Sequence, residues 1–293
     1  MSLQDTFHLE NFDESQQGTL VALLIASPKP SFRVVIDEFY DRNSSDSQRS
    51  LALRCISIAV KELAGWRDTK PKEGSAAGAI ESLDQMFSNS LTLPDESTSK
   101  TALETRGKTR VFSRKSEVDR KRAKPTQNKL SGFVSTDIFF PLMQGWWEGT
   151  RTGWSNQTVR IMATQSPRLL SRFVLTLGVI LHFSINTPQH QHIVKEFWDF
   201  ALSLRYHTFQ GQPDPSVVHA ALIGINTIVN ISMKDQKSRL INEYAQQLVE
   251  TKDWVVALID GSTEEVKQLC GHILLALKDI MTTYNDILLG GVL

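Results

Sequence analysis

Residues 166–206, SPRLLSRFVLTLGVILHFSINTPQHQHIVKEFWDFALSLRY, decide the fold. Ser166-Pro167 and Thr187-Pro188 each set an oxygen-bearing residue directly before a proline. Such pairs open helices: the side-chain oxygen can accept from the first turn's N–H groups, and a proline at the first position has no N–H to leave unpaired. From Pro167 onward the chain is apolar almost all round, through Leu169, Leu170, Phe173, Leu177, Ile180 and Phe183. The spacing predicts a helix over 167–185 that is sandwiched between neighbours. A second helix is predicted over 188–206, with Ile193, Val194, Phe197, Phe200, Ala201 and Leu204 on one side and Lys195, Glu196 and Asp199 on another. It should bury the first side and turn the second to solvent or a partner.

Downstream, Asp214-Pro215 repeats the opening signal for a helix over 215–231. Another is predicted over 233–258 with a break near Thr251, and a last one over 263–289, where Ser262 and Glu265 have capping-box spacing. Pro167, Pro215 and Thr263 recur every 48 residues, two helices per step, close to the period of HEAT-type repeats. Strand signals are weak, since no alternating run is bounded by Asn-Gly or Asp-Gly. The expected fold is all-α: a HEAT-like α-solenoid of antiparallel helix pairs with a long disordered internal linker.

Upstream lie three shorter segments. Leu20–Ala26 is an apolar run stopped by Ser27-Pro28. A second opens at Pro30-Ser31, with Val34, Val35, Phe39 and Tyr40 at helical spacing. The third, 45–64, has Ser45 or Asp46 as a cap, a face of Leu51, Leu53, Ile56, Ile58, Val60 and Leu63, and Gly65 where a left-handed cap belongs. Between these and the solenoid, residues 66–130 carry 14 Lys/Arg against 9 Asp/Glu and only ten Ile, Leu, Val or Phe. That is too little apolar side chain for a core. The expected division is therefore 1–65, packing on the solenoid because three helices alone bury too little surface, a basic linker over 66–134, and the solenoid over 135–293. Within the linker, Ala79, Ile80, Leu83, Met86 and Phe87 could form two helical turns, either a docking segment or chance.

The chain has 293 residues, with 32 basic and 32 acidic side chains and 41% hydrophobic residues. Zero net charge argues against a general polyanion binder. The longest apolar run, Phe173–Ile185, falls short of the roughly 20 residues that span a bilayer, so no membrane association is expected. The start, MSLQDTFHLENFDES, lacks a signal-peptide pattern, and cytoplasmic and nuclear residence is expected. Cys55 and Cys270 sit on apolar helical faces and read as buried thiols.

No catalytic constellation assembles, and no metal or cofactor is expected. Gly107-Lys108-Thr109 resembles the end of a phosphate-binding loop, but Ala102 stands where the loop needs glycine. His190 and His192 project about 200° apart on a helix and read as surface residues of a first turn. His207 lies at a helix end, where a partly cationic ring would favour the C-terminal dipole. Two other segments carry information. Arg106, Lys108, Arg110, Arg114, Lys115, Arg120, Lys121, Arg122 and Lys124 form a basic stretch with two acids. It reads as a solvated tail, a nuclear-import signal, a contact for an acidic partner or a nucleic-acid patch. Phe139-Phe140-Pro141-Leu142, with Trp146, Trp147 and Trp154 in a Gly-rich turn region, reads as the closure of the first solenoid hairpin or as a protein-binding patch.

Several ordered motifs resemble the telomere length regulation protein family, the subunit that forms the TTT complex with two Tel-two-interacting proteins. They are Phe39-Tyr40 followed by Gln48-Arg49, the helix end Ala59-Val60-Lys61-Glu62-Leu63, Lys108-Thr109-Arg110 with Phe112-Ser113, and Phe139-Phe140-Pro141-Leu142. Further along come Leu175-Thr176-Leu177-Gly178 with Asn186-Thr187, then Glu196-Phe197-Trp198 through Leu204-Arg205-Tyr206-His207, and Trp254. The resemblance implies a non-enzymatic co-chaperone adaptor. Its implied partners are the other TTT subunits, phosphatidylinositol-kinase-like protein kinases of the TOR and DNA-damage-checkpoint classes, the ninety-kilodalton heat-shock chaperone and the RuvB-like co-chaperone. Family members are much longer. Their tether to the RuvB-like machinery uses a phosphorylated serine among acids, for which Ser97 in Asp95-Glu96-Ser97 is the candidate, without acids following. On this view Phe139, Phe140, Trp146 and Arg205 contact a partner, shape its surface or serve structure alone. The rival reading is binding of telomeric DNA through the basic stretch.

Overall fold

A computed structural model describes residues 12–65, 128–152, 156–232 and 237–290, and the side chains within them except those of 231–239 and 283–290. The described residues form ten α-helices and no strand. In chain order these are α1 (Phe12–Ala26), α2 (Pro28–Tyr40), α3 (Asp46–Leu63), α4 (Phe140–Arg151), α5 (Gln157–Thr164), α6 (Pro167–Phe183), α7 (His190–Ser203), α8 (Pro215–Ser232), α9 (Lys237–Leu258) and α10 (Glu264–Gly290). Short 3-10 turns occupy Lys129–Gly132 and Leu204–Tyr206, and Val134–Phe139 forms a π-helical turn that runs into α4.

The helices stack in two rows, giving an all-α solenoid. One row runs α1, α3, α6, α8, α10, each touching the next; the other holds α2, α4, α5, α7 and α9. The rows meet where α2 lies on α3, α5 and α7 on α6, α7 on α8, and α9 on α10. Helix α6 is the hinge of this arrangement because it has no polar face to spare. Leu170, Phe173, Val174, Leu177, Ile180 and Leu181 are all fully buried, and each such side chain contributes roughly 1.5–3 kcal/mol relative to exposure. The amino-terminal helices pack on this centre through α3, whose Ser57 hydroxyl donates to Thr176 Oγ1 of α6 at 3.2 Å.

Several start and stop signals act as the chemistry requires. Ser45 accepts from Gln48 N–H while the Gln48 side chain accepts from the Ser45 N–H, a complete capping box. Gly65 adopts φ 81° after α3, Ser166 accepts from Leu169 N–H, and Asp214 Oδ1 accepts from Ser216 N–H.

Others do not. Helix α2 starts at Pro28, and its buried face is Phe32, Ile36 and Phe39, leaving Val34 66% exposed. Helix α7 starts at His190 rather than Pro188, because Thr187 donates its hydroxyl to Ser184 C=O and caps nothing. The residue before α10 is Thr263, so Ser262 lies outside the cap. The irregularity in α9 falls at Tyr244 (φ −131°, ψ 29°), whereas Thr251 is regular helix and accepts from Trp198 Nε1 at 2.9 Å. Residues 128–134 are not linker: Leu130, Phe133 and Val134 are buried, and Phe133 packs on Phe32 at 6.2 Å.

The aromatic Gly-rich region is also helical over α4, which Gly145 and Gly149 hide in the sequence, and α5 follows it. A Cβ at Gly145 would lie 2.4 Å from the Tyr40 ring, and one at Gly149 2.6 Å from Val159. These glycines let α2 and α5 come close to α4, and that contact outweighs their poor helix propensity.

Candidate functional site

The candidate residues separate sharply by location. Ser97 and the basic stretch Arg106–Lys124 lie outside the described residues, as do Ala79–Phe87 and Trp154. Phe139 is fully buried and Trp146 is buried; neither is available for direct contact with a partner. Trp146 stacks on Phe173 at 6.1 Å and meets Phe200 edge-on at 5.5 Å, so it joins α4 to α6 and α7. Phe139 meets Phe140 edge-on at 5.4 Å, and Phe140 is half-buried. Phe139 and Trp146 are core, held by edge and stacking geometry.

Arg205 is different. It sits in the 3-10 turn after α7, beside a groove of about 580 Å³ between α7 and α9. One wall is a stripe of Lys195, Asp199, Leu202 and Ser203 on α7 continued by Tyr206 of the 3-10 turn; the α9 wall is Gln246, Gln247 and Glu250. The stripe follows from spacing, since residues three and four apart share a helix face. Arg205 Nη1 lies 2.7 Å from Glu250 Oε2, and its guanidinium carbon lies 4.5 Å from the Tyr206 ring centroid. Gln247 donates to Asp199 at 2.9 Å and Gln246 to Glu250 at 2.8 Å. The two acids thus have donors from α9 or Arg205. Arg205 Nε, by contrast, is buried with no hydrogen-bond partner, and Tyr206 presents 76% of its surface to solvent. An unmet buried donor costs about 1–3 kcal/mol.

The histidines resolve differently from their sequence reading. His192 is exposed, but His190 is half-buried, with Nδ1 2.9 Å from Ser184 Oγ. The Ser184 hydroxyl is directed to Leu181 C=O at 2.8 Å, so the imidazole N–H is the donor in that pair. This Ser–His pair secures a helix end and leaves no free base facing a hydroxyl proton. Burial, reinforced by the nearby His182, pulls His190 down to about 4. His207 is likewise pulled down by burial rather than held cationic; its Nε2 contacts Ala163 C=O at 2.8 Å, at the end of α5 and not of α7. Cys55 and Cys270 are fully buried, and burial pushes the Cys55 thiol up to about 11. Among the described residues no group of His, Cys, Asp and Glu is placed to hold a metal ion, and no helix is long and apolar enough to cross a membrane.

Sequence reasoning singled out Arg205 but not the α9 side of the groove, because Gln246, Gln247 and Glu250 carry no motif. Their one legible signal is the i, i+4 spacing of Gln246 and Glu250 on a helix face.

Comparison with known proteins adds the family. A model described as telomere length regulation protein matches residues 1–60. The telomere length regulation protein TEL2 homolog of Xenopus laevis is 26% identical, over 90% of this chain and 30% of the relative. The DNA replication checkpoint protein tel2 of Schizosaccharomyces pombe is 24% identical, over 99% of this chain and 33% of the relative. The human telomere length regulation protein TEL2 homolog is 23% identical, over 90% of this chain and 30% of the relative. The chain thus spans about a third of the length of these relatives, whose names point to a regulatory protein. No solved structure matches. The match over the first three helices and the relatives that align across most of the chain support membership of the telomere length regulation protein family.

Proposed function

We propose that this chain is a non-enzymatic scaffold that acts in telomere length regulation. In finer terms, it serves as a co-chaperone adaptor of a TTT-like assembly that supports maturation and stability of phosphatidylinositol-kinase-like protein kinases. The observation that carries the reading is alignment, over 90% or more of this chain, with relatives named for telomere length regulation and for a replication checkpoint. The solenoid agrees with it, since stacked helices offer extended grooves to partners.

Affinity purification of the tagged chain at native expression tests this. Recovery of Tel-two-interacting proteins together with kinases of the TOR or checkpoint class is the expected result. Recovery of neither, from cells in which both are abundant, overturns it.

A further inference from the structure

Gly271 stands in the middle of α10 without a reason inside its own fold. A glycine weakens a helix interior relative to alanine, so its use there points to something that comes close. For Gly145, Gly149 and Gly224 that something belongs to this chain: Tyr40, Val159 and Phe197 occupy the places their Cβ atoms would take. At Gly271 nothing lies within 4 Å of that place. The residue belongs to the side of α10 turned away from the core. Val266, Leu269, Cys270, Ile273, Leu277 and Ile280 bury the other side, where α10 meets α8 and α9.

The outward side is ordered about this glycine. Glu264 and Lys278 lie seven residues before and after it, so the three share one stripe, with each charge about 10 Å along the helix from Gly271. Both are exposed, and neither has an ion pair among the described residues. Leu275, 63% exposed, and half-buried Leu274 follow Gly271 by one turn, and exposed Lys267 and Gln268 precede it by one turn. The stripe is therefore its own complement when reversed. A half-turn about an axis through Gly271 sets Glu264 on Lys278, Lys267 on Leu275 and Gln268 on Leu274. Parallel alignment would set like charge on like.

We infer that the outer face of α10 is a two-fold interface, at which two copies of this chain pair with their α10 helices antiparallel. They cross at Gly271, where the missing side chains let the backbones approach. Two ion pairs between Glu264 and Lys278, one in each direction, fix the register, as flanking charges do between paired helices. The methylene stem of Lys267 covers Leu275 of the second copy. Such a contact is self-complementary and closes at two subunits. One helix crossing is a small interface, so association falls in the micromolar range. Nucleic acid fits poorly, because a stripe of mixed charge without an aromatic ring offers neither a cationic track nor a stacking platform.

Sedimentation velocity on the whole chain, from about 1 to 100 µM, reads the association. A monomer–dimer equilibrium is expected. Lys278→Glu and Glu264→Lys should each weaken it about tenfold or more, and the double variant, which exchanges the charges, should return it to within about threefold of the original. Gly271→Leu should abolish the dimer with Tm unchanged or raised, since nothing in the fold fills that space. Gly271→Cys should yield a disulfide-linked dimer in air, because the two-fold brings the two sulfurs together. The unaltered chain, whose Cys55 and Cys270 are buried, should not. A monomer at every concentration overturns the inference, as does a dimer indifferent to Gly271→Leu or a folded double variant that stays monomeric. The scaffold reading stands or falls separately, on what the unaltered chain recovers from cells.

Discussion

Arg49 of α3 donates from Nε to Thr158 Oγ1 of α5 at 3.1 Å, joining residues 109 apart in sequence. Its side chain is 2% exposed; Nη1 reaches Asp46 at 3.1 Å and Nη2 the Asp41 carbonyl at 3.0 Å. A buried cation persists only where its donors are met. Thr158→Val should cost about 1–2 kcal/mol by leaving Nε unpaired, and Arg49→Ala about 2–4 kcal/mol through the cavity and the lost acceptor contacts. Urea denaturation reads both, and a loss below about 0.5 kcal/mol for Arg49→Ala would show that the site is wet.

The contact between α2 and α4 makes a second case. Tyr40 Oη donates to Leu142 C=O at 2.5 Å, and its ring fills the space above Gly145. Burial raises the Tyr40 pKa, so the phenol stays a donor. Gly145→Ala should destabilise by about 1–3 kcal/mol through overpacking. The cost should shrink when Tyr40→Ala is added, because the clash partner is gone; additive effects would refute the contact.

Acid stability follows from His190. Its folded pKa of about 4 lies below the ordinary value of 6.5, so between those values the unfolded chain binds more protons. Stability should be complete above about pH 6.5 and fall as pH drops toward 4. His207 and His219, also lowered by burial, act in the same direction. His190→Gln should flatten the loss between pH 6.5 and 4 in thermal melts, and an unaltered slope would assign it to other groups.

The turn after α7 holds strain. Gln210 sits at φ 52° and Gly211 at φ 86°, closing the Phe209–Gln212 bridge. Left-handed backbone disfavours glutamine by about 1–2 kcal/mol and is tolerated by Asn. Gln210→Asn should therefore raise stability by up to about 1 kcal/mol, a gain of a few degrees in Tm. A drop in Tm would mean that the glutamine side chain makes a compensating contact.

Trp146 and Tyr206 should respond in opposite ways. Trp146→Ala opens a cavity between α4, α6 and α7 and should cost about 3–5 kcal/mol, so any loss of partner capture follows loss of folding. Tyr206→Ala should leave Tm unchanged. Thermal melts run beside a partner pull-down separate the two, and an unchanged Tm for Trp146→Ala would move that residue to the surface.

Much of this molecule was legible in its sequence because local chemistry acts locally. The Ser45 cap, the Ser166-Pro167 and Asp214-Pro215 openings, the all-apolar α6 and the buried face of α7 all depend on residues within two turns of one another. What only the tertiary structure decided lies between segments distant in sequence. Helix α4 exists despite its glycines because Tyr40 of α2 and Val159 of α5 occupy the space those glycines leave. The groove at Arg205 needs Gln246, Gln247 and Glu250, some 40 residues on, to be brought against α7. Periodicity names the face a helix will bury; which side chain meets it across the interface is settled by close packing alone.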